Sequence, residues 1–285
     1  MNRTDFRFFE RLRVRWAEVD LQKIVFNGHY LMYFDTAVAG YWRALAMPYH
    51  ETMAQLDGDM FVRKASVEYE GSARYDDLCD VGIRCDRIGN SSMTFQAAVF
   101  RGEQRLVHGE LVYVFADPAT QTSRPVPPPL REALLAFEAG ADMVELSVGA
   151  WAELGERASA IRCRVFVEEQ GIPAELELDA ADAGAVHALA VNRFGLPVAT
   201  GRLLVAAPGV GKIGRMAVLP GLRGSGVGRR VLEALAQAAR ARGDTELLLH
   251  AQQTAVPFYR RAGFEARGAA FQEAGITHQE MVRAP

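Results

Sequence analysis

Apolar residues recur along this chain in two rhythms. Between residues 29 and 46, Leu31, Phe34, Val38, Tyr41, Trp42 and Leu45 fall three or four positions apart. That spacing predicts a helix with one buried face, and Asn27 stands where an N-cap is expected. The stretches 6–16, 60–70, 79–88, 92–100 and 106–115 read as strands, with Gly89-Asn90 and Arg101-Gly102 as turns. Met93, Phe95, Ala97 and Val99 interleave with Thr94, Gln96 and Ala98 at the period of a half-buried strand. One long helix followed by a long antiparallel run predicts an α+β unit whose sheet wraps around that helix.

The pattern breaks between Asp117 and Pro129, where Pro118, Pro125, Pro127, Pro128 and Pro129 oppose regular structure. Helical spacing returns at Leu130, Leu134, Leu135 and Phe137, and Gly140-Ala141-Asp142 predicts a boundary between domains 1–140 and 141–285. Beyond it, a strand begins at Val144 and a helix is expected from Trp151 to Phe166. Strands follow at 186–193, 197–206 and 212–219, then a helix carrying Val227, Val231, Leu232 and Leu235. A strand at 246–251, a short helix at 254–261 and closing strands at 264–272 and 277–283 complete the chain.

Composition narrows the function classes. A length of 285 residues accommodates two domains, and 49% hydrophobic with 24% charged residues suits globular folds. Residues 1–140 carry 16 basic and 19 acidic side chains and the remainder 16 of each, so neither half is a basic nucleic-acid binder. The N-terminus is charged throughout, unlike a signal peptide, and no apolar run reaches membrane-spanning length. Cys79, Cys85 and Cys163 are odd in number and lack metal-ligand spacing. The expectation is reduced thiols, no metal and a cytoplasmic location.

The strongest local signal is Arg223-Gly224-Ser225-Gly226-Val227-Gly228, set between a strand and a helix. Glycines at alternate positions let backbone amides approach an anion, aided by the helix dipole, Arg223 and Arg229, and a pyrophosphate is the natural guest. No Gly-Lys-Ser/Thr follows, which excludes Walker A, and no repeated βαβ units surround the loop, which disfavours a Rossmann site. A merely connecting turn is the alternative. Arg223-x-x-Gly226-x-Gly228, with Phe258-Tyr259-x-x-x-Gly263-Phe264 downstream, resembles the GNAT N-acetyltransferases over residues 145–285. The segment Arg162 to Gln170, Glu175-x-Glu177-x-Asp179-x-x-Asp182 and His187 resemble that family's ElaA-like branch.

This resemblance implies an α/β domain with a mixed sheet that binds acetyl-CoA. The amides of Met216, Ala217 and Val218 would hold the pantetheine arm, and Gly224, Ser225, Gly226, Val227, Gly228 and Arg229 the pyrophosphate. Tyr259 would protonate the departing thiolate; its alternative is a core tyrosine. His187, Gln252 and His278 would line the acceptor site. Glu177, Asp179, Asp182, His187 and His278 are candidate bases for the amine, while the acidic cluster could equally be a solvated loop that attracts a cationic amine.

In the first half, Asp20-x-x-x-x-Val25-x-Asn27-x-x-Tyr30 followed by Tyr33-Phe34-Asp35 resembles hotdog-fold acyl-CoA thioesterases of the 4-hydroxybenzoyl-CoA thioesterase and YbgC type. Val67-Glu68-Tyr69 and Ala73 to Leu78 match that family's central strand and following turn, and the resemblance covers residues 6–138. Lys23 departs from it, standing where the family usually has glycine. By resemblance Asp20 is base or nucleophile, the amides near Asn27 and Gly28 polarise the thioester carbonyl, and the domain forms a homodimer or homotetramer. His29 and Tyr30 either touch substrate or pack. The two resemblances imply a bifunctional enzyme acting on acyl-CoA and amine substrates; the alternative makes one half a scaffold or acyl-CoA sensor.

Overall fold

The computed structural model describes residues 1–273 and 275–285, and the chain divides into two compact units, Met1–Met143 and Val144–Pro285. The first contains β1 (Phe8–Arg13), α1 (His29–Ala44), α2 (Tyr49–Gln55), β2 (Asp59–Tyr69), β3 (Leu78–Ile88), β4 (Ser92–Arg101), β5 (Gln104–Ala116) and α3 (Pro128–Glu138). Its sheet is antiparallel throughout, in the order β1-β3-β4-β5-β2. Helix α1 buries Tyr30, Tyr33, Phe34, Ala37, Val38, Tyr41 and Trp42. Tyr41 and Trp42 meet Phe95 of β4 edge-on, with centroids 5.7 and 5.6 Å apart. Gly109 of β5 permits this approach, because a Cβ there would lie 2.9 Å from the Phe34 ring and 2.1 Å from the Ser66 carbonyl. This is the hotdog arrangement, an antiparallel sheet against one long helix.

Several details differ from the expectations. Leu31 is 39% exposed, because the buried stripe of α1 runs through Tyr30, Tyr33 and Ala37 instead. Gly28 occupies the N-cap with no side-chain cap bond, so Asn27 does not cap the helix. Pro128 and Pro129 open α3, where their missing amide protons cost nothing, rather than ending structure. Strand β2, which carries Val67-Glu68-Tyr69, lies at an edge of the sheet and not at its centre.

The second unit contains β6 (Val144–Ala150), α4 (Trp151–Arg162), a π-helical turn (Cys163–Glu169), α5 (Ala174–Glu177), β7 (Val186–Asn192), β8 (Pro197–Ala207), β9 (Val210–Val218), α6 (Val227–Arg242), β10 (Glu246–Gln252), α7 (Val256–Arg261), β11 (Glu265–Glu273) and β12 (Ile276–Arg283). The seven strands run β11-β12-β10-β9-β8-β7-β6. Among the described residues only β9 and β10 pair in parallel, and α6 makes the crossover that a parallel pair requires. The result is a mixed GNAT-type sheet. Helix α6 buries Val231, Leu232 and Leu235, and ends at Gly243, whose φ of 92° is the left-handed conformation of a helix stop. A Cβ on Gly201 of β8 would meet Val231 and Leu235, so α6 covers that face. The neighbouring Arg202 points to the opposite face, where it joins the ion pairs of Arg162 from α4. Among the described residues no helix is long and apolar enough to cross a membrane.

Candidate functional sites

In the first unit the candidate site is a tight turn leading to the start of α1. The Asp20 amide donates to the Ile24 carbonyl and the Lys23 amide to the Asp20 carbonyl, both at 2.9 Å. Val19 and Val25 bridge across the neck of the turn. One Asp20 carboxylate oxygen accepts the Gln22 amide at 2.8 Å, which fixes the side chain and leaves the other oxygen available. Lys23 sits at φ 61°, a conformation glycine adopts without strain. The turn therefore closes as it would around glycine, with the strain carried by the lysine backbone.

The turn delivers the chain to Asn27 and Gly28, whose amides make no hydrogen bond among the described residues. Unpaired amides at a helix start are the donors an oxyanion needs. His29 contacts Phe26 and the Met32 sulfur at the surface. Tyr30 is buried, its hydroxyl accepting the Ala73 amide at 3.0 Å, so it packs within this unit and ties α1 to the segment after β2. Beside the turn, Ile24, Ser72, Arg74, Asp77 and Arg101 line an open depression, with Arg101 and Asp77 paired at 2.8 Å.

Glu18 was not among the residues singled out from sequence, yet it is the buried carboxylate of this region. It accepts from the Tyr33 hydroxyl at 2.7 Å and from the Arg15 amide at 2.8 Å. Burial works to raise its pKa, but those bonds and the Arg15 guanidinium outweigh burial and hold it below the usual carboxylate range. The signal was present in Arg15-x-x-Glu18, a spacing that closes a short helical turn on itself.

In the second unit the candidate site is a split in the sheet. The parallel ladder runs from Val210↔Glu246 to Ile213↔Leu249 and stops, although β9 continues to Val218 and β10 to Gln252. Against β8, strand β9 advances from Gly214 to Ala217 while its partner moves only from Arg202 to Thr200. The extra residue is a bulge, and Arg215 within it has φ 52°. Past the bulge, Met216, Ala217 and Val218 have no ladder partner on β10, so the two strands part there.

The glycine loop closes one end of this fork. Gly224 and Gly226 have φ near 87° and 88°, and a Cβ on either would meet nothing, so the loop needs them for backbone conformation rather than for space. Gly228 is different: its Cβ would lie 3.0 Å from Val218, and its absence lets α6 pack on β9. The amides of Val227, Gly228 and Arg229 belong to the first turn of α6 and have no intrahelical acceptor. The Ser225 amide and hydroxyl both bond the Leu222 carbonyl, so Ser225 shapes the loop. Arg223 makes a bidentate pair with Glu169 at 2.7 and 2.6 Å, which holds the Glu169 carboxyl below its usual range. Tyr259 belongs to α7, which follows β10 and whose Phe258 ring would lie 3.9 Å from a Cβ on Gly228; it packs edge-on against Phe258 and Phe264 and is nearly buried. Burial pushes its phenol well up, so it stays protonated and able to donate.

The acceptor-side residues do not all converge. Gln252 faces His278 across the β10–β12 ladder and donates to Gln170 at 2.8 Å. His278 bonds the Ile276 carbonyl and stacks on Phe271. His187 lies two strands beyond β9 at 1% exposure, against the Trp151 ring and the Asp182 carbonyl, and burial lowers its pKa. Its imidazole is therefore packed inside the sheet and not open at the fork. The acidic cluster is likewise not a solvated loop. Arg162 pairs with Glu177 at 2.5 Å and Asp182 at 2.8 Å, Arg202 with Asp179 and Asp182, and Arg215 with Glu177 and Asp179. Three guanidinium groups meet three carboxylates, and Arg162, Glu177 and Asp182 are almost wholly buried. Because Arg215 is the bulge residue, this network anchors the fork. No group of three or more metal-ligating side chains occurs among the described residues.

Comparison with known proteins agrees with this division. The family model described as "Thioesterase superfamily" matches residues 22–108 and that described as "Acetyltransferase (GNAT) domain" matches residues 159–284. "Uncharacterized N-acetyltransferase YjcF" of Bacillus subtilis (strain 168) is 38% identical over 124 residues, covering 43% of this chain and 87% of its own. A protein of Aquifex aeolicus (strain VF5) named "Putative esterase" is 30% identical over 94 residues, covering 33% of this chain and 73% of its own. A solved structure from Lactobacillus plantarum described as a "putative N-acetyltransferase" is 31% identical, with TM-score 0.48, and covers 50% of this chain and 99% of that one.

Proposed function

Since the chain belongs to the thioesterase superfamily in its first half and to the GNAT acetyltransferases in its second, we propose that it processes coenzyme A thioesters at two separate sites. The observation that carries the second activity is the fork: β9 and β10 part after Ile213↔Leu249, beside a helix start with free amides. An acyl-CoA entering there would lay its pantetheine amides along Met216 to Val218 and its pyrophosphate on the amides from Val227 to Arg229. The acceptor amine attacks the thioester carbonyl directly. The C–S bond breaks, and the Tyr259 phenol gives its proton to the sulfur.

The first half hydrolyses acyl-CoA. Asp20, with one oxygen fixed by Gln22 and the other free, attacks the carbonyl or activates a water, while the amides of Asn27 and Gly28 receive the developing negative charge. The unpaired edge of β2, with Val62 53% and Tyr69 52% exposed, pairs with the same edge of a second chain. That pairing would make β2 central in a continuous sheet, where the sequence resemblance put it.

The test is CoA release from a panel of acyl-CoAs, with and without amines, by the wild type and Asp20→Asn. Amine-independent release lost in the variant, with amine-dependent release retained, supports two activities. Release that requires amine and survives Asp20→Asn confines catalysis to the second half.

A further inference from the structure

His250 is the first residue of β10 past the last rung shared with β9, at the crotch of the fork. Its ring contacts Lys212, which shares a sheet face with Gly214, and Gly214 in turn pairs with Arg202 on the face opposite α6. Cofactor loop and His250 thus approach the opening from opposite faces. The Gly214 backbone lies outside the left-handed region, and a Cβ there would meet nothing within 4 Å, so open space lies beside the imidazole. Charged groups surround the ring from three strands. His250 Nδ1 is 3.0 Å from Glu273 of β11 and 3.5 Å from the Lys212 ammonium of β9, while Nε2 is 3.8 Å from Glu280 of β12. Glu280 is itself held by Arg267 at 2.6 Å, and the Phe271 ring lies 4.8 Å away, separating His250 from His278. Donation from Nδ1 to the nearer Glu273 leaves Nε2 bare, the arrangement a base requires.

We propose that His250 is the base that deprotonates a small primary amine in an acceptor pocket floored by Gly214. The proposal rests on the acetyl-transfer reading above. The ammonium form is drawn by Glu273 and Glu280 and yields a proton to His250 Nε2. The amine nitrogen then bonds to the thioester carbonyl carbon, and the C–S electron pair leaves with sulfur, which takes the Tyr259 proton. As the tetrahedral adduct collapses the nitrogen gives its second proton to solvent, leaving amide and free CoA; Tyr259 then regains a proton from solvent and His250 releases its own to bulk water.

The test uses the full chain with acetyl-CoA and three probe amines, butylamine, phenethylamine and spermidine. His250→Gln should lower kcat about 100-fold, leave the KM for acetyl-CoA within about twofold, and remove the acidic limb of the pH profile. Gly214→Val should raise the amine KM about tenfold at unchanged acetyl-CoA affinity. Bromoacetyl-CoA provides a readout that needs no amine: His250 Nε2 displaces bromide, and peptide mapping locates the label. Transfer by His250→Gln at the wild-type rate with the acidic limb intact overturns the proposal. So does labelling of other residues in this unit with His250 unmodified. A wild type that neither transfers acetyl nor is labelled in a CoA-protectable way overturns the acetyl-transfer reading itself, and this proposal with it.

Discussion

The two candidate sites expose unpaired backbone amides by opposite constructions. In the first unit, most of the bonds that shape the Asp20 turn and the start of α1 lie between Arg15 and Tyr33, with ties from outside by Tyr69 and Ala73. In the second, the fork draws on Arg162, Glu177, Asp182, Arg202 and Arg215 before it reaches Gln252 and Tyr259. A helix start supplies free amides wherever a helix begins, so the first site needs only a turn to aim it. An opening inside a sheet must be held against the tendency of the strands to pair. The bulge at Arg215 breaks the register, and a buried ion network spanning α4, α5, β8 and β9 keeps it broken.

The largest expected effect separates the two sites completely. Asp20→Asn should reduce acyl-CoA hydrolysis by about 10²- to 10⁴-fold, the range for removing a positioned base or nucleophile. Acetyl transfer measured on the same preparation should stay at its wild-type rate. An equal fall in both would show that one site governs the other.

The next variant tests what holds the fork. Arg162→Met leaves Glu177 and Asp182 buried without their main partner, which costs about 3–5 kcal/mol. Urea unfolding should show this loss in the acetyltransferase unit, with hydrolysis at Asp20 preserved. The pH dependence carries the same information. Arg202 hydrogen bonds hold Asp179 low, and for Asp182 burial pushes up while Arg162 and Arg202 pull further down. Groups with depressed folded pKa values contribute stability above the unfolded value of about 3.9 and lose it as pH falls through the folded values. Stability of the wild-type unit should therefore drop below about pH 4, and less steeply in Arg162→Met. Glu177 runs the other way, since burial raises it despite Arg162, and it moderates the drop.

Tyr259→Phe comes third, because a positioned acid assists a leaving group that is already a good one. The expected fall in kcat for acetyl transfer is about 10²-fold, at the low end for general acids. The acetyl-CoA dissociation constant, read by calorimetry, should not change. Weaker acetyl-CoA binding at an unchanged kcat would make Tyr259 a packing residue of α7.

The contrast between the sites also explains what the sequence could reveal. Strands β2 to β5 were legible to within a few residues, because alternation is a local property and each strand is separated by a turn of recognisable chemistry. The glycines at 224, 226 and 228 were legible because left-handed backbone and close packing both demand that residue. The Arg215 bulge was not, since nothing in Gly214-Arg215-Met216 marks an extra residue against a partner strand. Nor did Glu177, Asp179 and Asp182 reveal their ion pairs, because their partners Arg162, Arg202 and Arg215 lie up to 38 positions away along the chain. The edge position of β2 was missed for a related reason. Its resemblance came from a family pattern, and the place of a strand in a sheet depends on pairings that no single strand encodes.

The smallest effect bears on the more local site. Lys23 pays a backbone cost for its φ of 61°, which for a residue with a Cβ is about 1–2 kcal/mol. Glycine would relieve that cost but adds unfolded-chain entropy worth about 0.4–1 kcal/mol. Lys23→Gly should therefore stabilise the first unit by about 0.5–1 kcal/mol in urea unfolding. The bonds from Asp20 to Ile24 and from Lys23 to Asp20 already fix the turn, so hydrolysis should proceed at the wild-type rate. A destabilised variant would mean that the Lys23 side chain, and not its backbone, holds the turn. A stabilised variant with slower hydrolysis would mean that the strained turn presents Asp20 better than a relaxed one does, and the site would then depend on its one departure from the family pattern.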